Sequence, residues 1–238
     1  MRALWLALWF AIAMVVATVL VAPIIFIRSL IRGARSFHPR GTICRAEVIA
    51  LDDVVGPRLA GNALVRFSGV SAPENAPDQT ICGMAIKFGT DQDLALATLE
   101  GFLHVAAGTK NTNVADYLAN QFASVTPWRT RGLGIVWLRA MPPATSATTG
   151  TRTERLDADI AANRAVFVLE ARETDGADGP LRSRIAEIRL VERLAGDDPS
   201  YRISMFRTAR GIVPTGFRNG IRGIAYPVSQ FARRLRGG

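Results

Sequence analysis

Two stretches decide how this chain folds: Asn62–Gly69, NALVRFSG, and Cys82–Gly89, CGMAIKFG. In the second, Met84, Ile86 and Phe88 alternate with Ala85 and Lys87. Successive side chains of a strand point to opposite faces, so this alternation predicts a strand with one buried face. The first stretch follows a Gly-Asn turn signal and reads the same way. Further strand-like runs lie on either side: Thr42–Leu51 (TICRAEVIAL), Arg164–Thr174 (RAVFVLEARET) and Ser183–Leu194 (SRIAEIRLVERL), the last also compatible with a helix. Asp93–Val105 (DLALATLEGFLHV) fits strand or helix. Short strands separated by Gly, Pro, Asn and Asp predict an antiparallel sheet or barrel.

Helices are expected around this β framework. Asn111–Val125 (NTNVADYLANQFASV) places Val114, Tyr117, Leu118 and Phe122 on one helical face behind Asn and Thr capping residues. The segment from Gly216 is helix-like, with Phe217, Ile221, Ile224 and Phe231 apolar. Pro142-Pro143 and the following ATSATTGTRT read as a loop. The fold class is therefore α+β: an antiparallel β-barrel with added helices, preceded by one transmembrane helix.

That last helix is read from Ala3–Ile27, ALWLALWFAIAMVVATVLVAPIIFI, which carries no charge. About 20 apolar residues cross a bilayer as a helix. A cleaved secretory signal has a shorter apolar core and a small-residue cleavage site, which Val21–Pro23 matches poorly. Residues 1–34 are read as a retained anchor with a basic linker, and 35–238 as the main domain. Arg2 alone precedes the span, whereas Arg28, Arg32, Arg35 and Arg40 follow it. The positive-inside rule then expects a single-pass protein of the cell membrane with its domain in the cytoplasm. Cys44 and Cys82, without CxxC or Cys/His spacing, fit a reducing compartment and give no zinc pattern.

The formal net charge is +9. The basic residues are spread along the chain, and no helix-turn-helix or RNP pattern accompanies them. Nucleic acid is therefore not the expected partner.

Four segments in order carry a resemblance. Arg35–Gly41 reads R-S-F-H-P-R-G, then come ALVRFSG and GMAIKFGTDQDL, and near the end Arg222, Tyr226, Pro227 and Arg233 stand in an R-x-x-x-Y-P spacing with a later arginine. In this order they resemble the haem catalase superfamily, and most of all the short catalase-related peroxidases. The resemblance runs from about Arg35 to Leu235, with large deletions relative to full catalases. It implies a catalase-like barrel and haem b as cofactor.

The resemblance also implies roles for single residues. Tyr226 would ligate the haem iron. A phenol of reference pKa about 10 binds iron best as phenolate, and a guanidinium nearby favours that form. Arg222, four residues before it, shares its helical face. His38 would stand across the haem as base and then acid, moving a proton between peroxide oxygens. Ser68 would orient that imidazole. Arg35, Arg66 and Arg233 match arginines that pair with haem propionates, which suits their planar, bidentate donors. A charge at Arg66 within a buried strand is otherwise costly. Phe102 matches an aromatic near the haem. His104 has no counterpart and is read as structural.

One departure changes the expected activity. After Asp93-Leu94 the family carries Gly-Asn-Asn, whose amide polarises peroxide. Here Ala97 and Thr98 stand at that point, and only Thr98 offers a polar side chain. The expectation is a membrane-anchored, haem-dependent peroxidase of organic or lipid hydroperoxides, with weak or no catalase activity and an unidentified electron donor. Two alternatives stay open: a hydroperoxide isomerase or dehydratase of the allene oxide synthase type, and a non-enzymatic haem-binding membrane protein. The oligomeric state is not read from the sequence.

Overall fold

A computed structural model describes residues 2–32, 41–69, 81–99, 112–147, 149–174, 179–196 and 201–236. Among these residues ten strands form: β1 (Thr42–Ala50), β2 (Gly61–Gly69), β3 (Cys82–Phe88), β4 (Gln92–Ala97), β5 (Phe122–Ala123), β6 (Trp128–Thr130), β7 (Gly134–Met141), β8 (Val166–Arg172), β9 (Leu181–Arg193) and β10 (Ile212–Pro214). All pairings are antiparallel. Their order is β10-β6-β7-β5-β4-β3-β2-β1-β9-β8, and β8 pairs back onto β7. Eight strands therefore close into a barrel, with β6 and β10 as a flap on β7. Closure removes the unpaired edges that an open sheet would expose.

The barrel is filled by side chains, one of the two interiors that eight strands allow. Phe67 of β2 stacks on Tyr117 at 4.4 Å between ring centroids and lies 5.8 Å from Phe122 and 5.6 Å from Phe167. Phe67, Phe122 and Phe167 are fully buried. Met84, Ile86 and Phe88, the alternating apolar set of β3, all point into this core. The strand reading of 183–194 holds, since β9 bridges β1 and β8.

Two helical expectations differ from the structure. The 111–125 stretch is not a helix. Its described part contains a single 3₁₀ turn at Tyr117–Ala119 followed by β5. Side chains here capture the backbone. The Asp116 carboxylate accepts from the Leu118 N–H at 2.8 Å, and the Asn120 amide donates to the Asn113 and Asp116 carbonyls at 2.7 and 2.6 Å. Such local bonds compete with a helical ladder and win where Asn and Asp are dense. Conversely, the loop reading of 144–153 ends early. Thr151 and Glu154 form a reciprocal capping box that starts a helix at Arg152–Ala161.

The chain termini pair with one another. The N-terminal helix runs as α1 (Arg2–Val16), a π turn (Ala17–Val21) and α2 (Ala22–Arg32). Its Arg2–Ile31 portion is long and apolar enough to cross a membrane. With α3 (Gly56–Leu59) and α4 (Arg152–Ala161) placed, the last element is α5, Gly216–Leu235. It packs along the N-terminal helix. A Cβ on Gly220 would collide with the Phe10 carbonyl and sit 2.7 Å from the Ala13 Cβ. Only glycine allows the two backbones this close.

Two substitutions test this architecture. Phe67→Ala should lower unfolding free energy by about 3–5 kcal/mol, because three other rings lose their common partner. Gly220→Val should cost about 1–3 kcal/mol by forcing the terminal helices apart. Urea unfolding in detergent, followed by tryptophan fluorescence, measures both.

Candidate functional site

The site is built on the outside of the barrel. Register sets Arg66 opposite Ala85 and Ala85 opposite Ala95; in the next outward row Ser68 faces Gly83, and Gly83 faces Ala97. Because strand side chains alternate, these six residues point outward while Val65, Phe67, Ile86 and Leu94 point into the core. Four of the six are glycine or alanine. The floor of the site is therefore nearly flat, with Arg66 and Ser68 at its margin.

Helix α5 forms the opposite wall. Arg222, Ala225, Tyr226, Ser229, Gln230 and Arg233 all line the cleft, at helical offsets of 0, 3, 4, 7, 8 and 11. That spacing is one continuous face of a helix. Tyr201 and Ile203 close one side, and Ile25 of the N-terminal helix closes another. The cleft encloses about 820 Å³ of empty space, solvent at its mouth included.

Its electrostatics are one-sided. Among the described residues, three arginines line it and no aspartate or glutamate does. Arg66 and Arg233 are only 4% and 7% exposed. The Arg222 guanidinium donates to the Ala95 carbonyl and to the Asn219 side-chain oxygen, both at 3.3 Å, so it reaches across to the floor. Among the described residues, the Tyr226 hydroxyl makes no hydrogen bond, and none joins it to Arg222. By contrast, the Tyr201 hydroxyl is engaged, donating to the Ala85 carbonyl at 2.7 Å. Gln230 donates to the Ile203 carbonyl at 2.8 Å, tying α5 to the segment that closes the cleft.

Behind Tyr201 the same segment is held by a polar cluster. Lys87 sits 5.8 Å from the Tyr201 ring centroid and donates to the Arg202 carbonyl. Burial pushes its pKa down, helped by Arg207. Asp93 accepts from the Ser204 N–H at 2.7 Å and pairs with Arg207 at 3.1 Å. Burial nevertheless pushes its carboxyl above the usual range.

Of the residues singled out in the sequence, the structure brings Arg66, Ser68, Arg222, Tyr226 and Arg233 into this one cleft. Arg35, His38, Phe102 and His104 lie outside the described residues. Thr98 is not among the cleft's lining. Its hydroxyl lies 2.6 Å from that of Thr112 and accepts from the Cys82 N–H at 3.0 Å. It fastens the start of β3 to the end of β4. Tyr201, Ile203, Ser229, Gln230 and Ile25 were not foreseen. Ser229 and Gln230 follow from helical spacing once Tyr226 is chosen. Nothing local marks Tyr201 or Ile25, which reach the cleft from distant parts of the chain.

Compared with models of known protein families and with curated protein sequences, the chain matches none.

Two outcomes are expected from this geometry. Thr98→Val should cost about 1–3 kcal/mol of stability, since it strips a buried N–H of its acceptor, and should leave ligand binding in the cleft unchanged. Equilibrium unfolding and a binding titration on the same variant separate these effects. Cys44 and Cys82 are both free and buried. Burial pushes the Cys44 thiol up to about 12 and raises that of Cys82 as well. Both should resist a thiol-specific disulfide reagent at pH 8 and react in urea.

Proposed function

We propose that the cleft binds haem b and that the protein is a membrane-attached peroxidase acting on organic or lipid hydroperoxides. The observation that carries this reading is Tyr226, its hydroxyl unengaged among the described residues, in a cleft whose described lining holds three arginines and no acid. A flat floor of Gly83, Ala85, Ala95 and Ala97 suits the face of a planar macrocycle. The arginine excess suits its two carboxylates. When bound, haem would supply the redox chemistry of O–O bond cleavage, with two electrons coming from an organic donor.

The chain's own residues would divide the remaining work. The Tyr226 oxygen would hold the iron. Arg222, on the same helical face, would supply positive charge toward that oxygen. Arg66 and Arg233 would pair with the propionates through their planar, bidentate donors. Ser68 stands at the floor's edge to orient an imidazole. His38 is three residues before Gly41, a chain length of about 10 Å. A Cβ on Gly41 would lie 2.6 Å from the Arg66 Cζ, so the Gly41 backbone packs on the cleft's margin. His38 would carry the proton from one peroxide oxygen to the other.

The Thr98 hydroxyl, which stands where the family carries its amide, is engaged with Thr112 and Cys82 and is not among the cleft's lining. This favours peroxidase over catalase activity. Ile25 lines the cleft, so a wall of the site belongs to the helix that attaches the protein to the membrane, with the main domain on the cytoplasmic side. Amphiphilic hydroperoxides fit that placement.

Full-length protein purified from cells supplied with a haem precursor should show a Soret band. Tyr226→Phe should lose it, and Arg222→Leu should weaken haem retention by about 10–100-fold. Fatty-acid hydroperoxide should turn over faster than hydrogen peroxide when a donor is present. Conversion without a donor would instead indicate the isomerase or dehydratase alternative. A haem-loaded protein inert toward hydroperoxides would indicate the non-enzymatic binder. Wild-type protein without a Soret band would overturn the haem reading.

A further inference from the structure

The N-terminal helix and α5 lie side by side and run in the same direction. Trp9 meets Phe217 at 6.2 Å, and Gly220 abuts Phe10 and Ala13. Further along, Phe26 meets Phe231 at 6.3 Å and the Ser29 and Ser229 hydroxyls share a 2.8 Å hydrogen bond. Finally Arg236 donates to the Leu30 and Ile31 carbonyls. The contact therefore extends over all of α5, about 30 Å at 1.5 Å per residue. Helix α5 is in turn bound to the barrel by Arg222 on Ala95 and by the Thr215 hydroxyl on the Pro127 carbonyl.

This contact is incompatible with a perpendicular crossing. A span that kept it would carry α5 through the bilayer, with Asn219 and Arg222 well below the surface and the barrel wall beside them. An arginine at the bilayer centre carries a desolvation penalty even on the mildest insertion scale.

The opposite side of the N-terminal helix is apolar and open. Leu4, Trp5, Leu8, Ile12, Val15 and Val19 are all exposed, as are Ile24, Ile27 and Ile31 beyond the π turn. The buried side recurs every four residues, at Ala13, Ala17, Ile25 and Ser29, with half-buried Val21 between. Such a period drifts by roughly 40° per step around a 3.6-residue helix. The π turn at Ala17–Val21 takes up extra residues and cancels much of that drift. The open face is thereby kept as one stripe. Phe231, 55% exposed and packed on Phe26, widens it from α5.

We infer that the N-terminal helix lies in the plane of an anionic membrane surface, apolar stripe in the lipid and barrel above it, instead of crossing the bilayer. The polar side that an in-plane helix normally carries itself is supplied by α5 and the barrel. The net charge of +9 and the exposed Arg2, Arg234 and Arg236 suit acidic headgroups. The inference rests on the membrane attachment proposed above and is independent of haem.

The test places one epitope tag at each end of the full-length chain. In sealed inverted vesicles, externally added protease should remove both tags; in spheroplasts it should remove neither. A Ser29→Cys/Ser229→Cys variant in native membranes should cross-link under mild oxidation, showing that the helices stay paired there. Tags on opposite faces, or no cross-link, would overturn the in-plane arrangement while leaving attachment intact. Recovery of the protein in the soluble fraction would remove the attachment itself.

Discussion

The alternation of β2 is the constraint on which the rest depends. Phe67 points inward and joins three other rings in a filled barrel. Its neighbours Arg66 and Ser68 must then point outward. With the interior closed to ligands, any site has to form on the barrel's outer surface. An outer surface alone is a floor without walls. The second wall comes from α5, and the register of β2, β3 and β4 decides which small residues it faces. A slip of one residue in that register would turn Phe67 to solvent and Arg66 into the aromatic core.

Helix α5 has two jobs on two faces. The face bearing Arg222, Tyr226 and Arg233 looks onto the barrel across the cleft. The face bearing Phe217, Gly220 and Phe231 receives the N-terminal helix. Pro227 has no N–H to return to the Gly223 carbonyl, so the helix is weakened directly after Tyr226. The tight seat against the N-terminal helix compensates by holding α5 from behind. The first helix, long and apolar enough to cross a membrane, is therefore also part of the cleft's scaffold.

The legible parts of the chain were those governed by short-range periodicity. The strands of 62–69 and 82–89 alternate plainly, and the face of α5 follows from the spacing of Arg222, Tyr226 and Arg233. The 111–125 segment misled because its apolar spacing is helical while its Asn and Asp side chains occupy the backbone donors and acceptors. The helix at Arg152–Ala161 was hidden by a Thr-rich run whose last threonine is its cap. Barrel closure through β7 and β8, the placing of Tyr201 and Ile203, and the pairing of the two terminal helices depend on long-range packing. No local pattern encodes them. Thr98 shows the limit for a single residue: the sequence gives its position, but only its contact with Thr112 and Cys82 shows that its hydroxyl is already engaged.

Apolar length alone does not decide how a helix meets a membrane. The N-terminal segment is long enough to cross, yet its small residues Ala13 and Ala17 are turned toward α5. In lipid, small residues mark helix–helix contact faces, because they permit close backbone approach. Here the partner is an arginine-bearing helix bolted to a folded barrel, which cannot follow its neighbour into hydrocarbon. The same residues that make the segment hydrophobic thus divide into a packed face and an exposed apolar face. The packed face fixes the segment's direction relative to the barrel. It also sets Ile25 at the border of the cleft, where an exposed apolar surface and an arginine-lined cavity meet within one helix width.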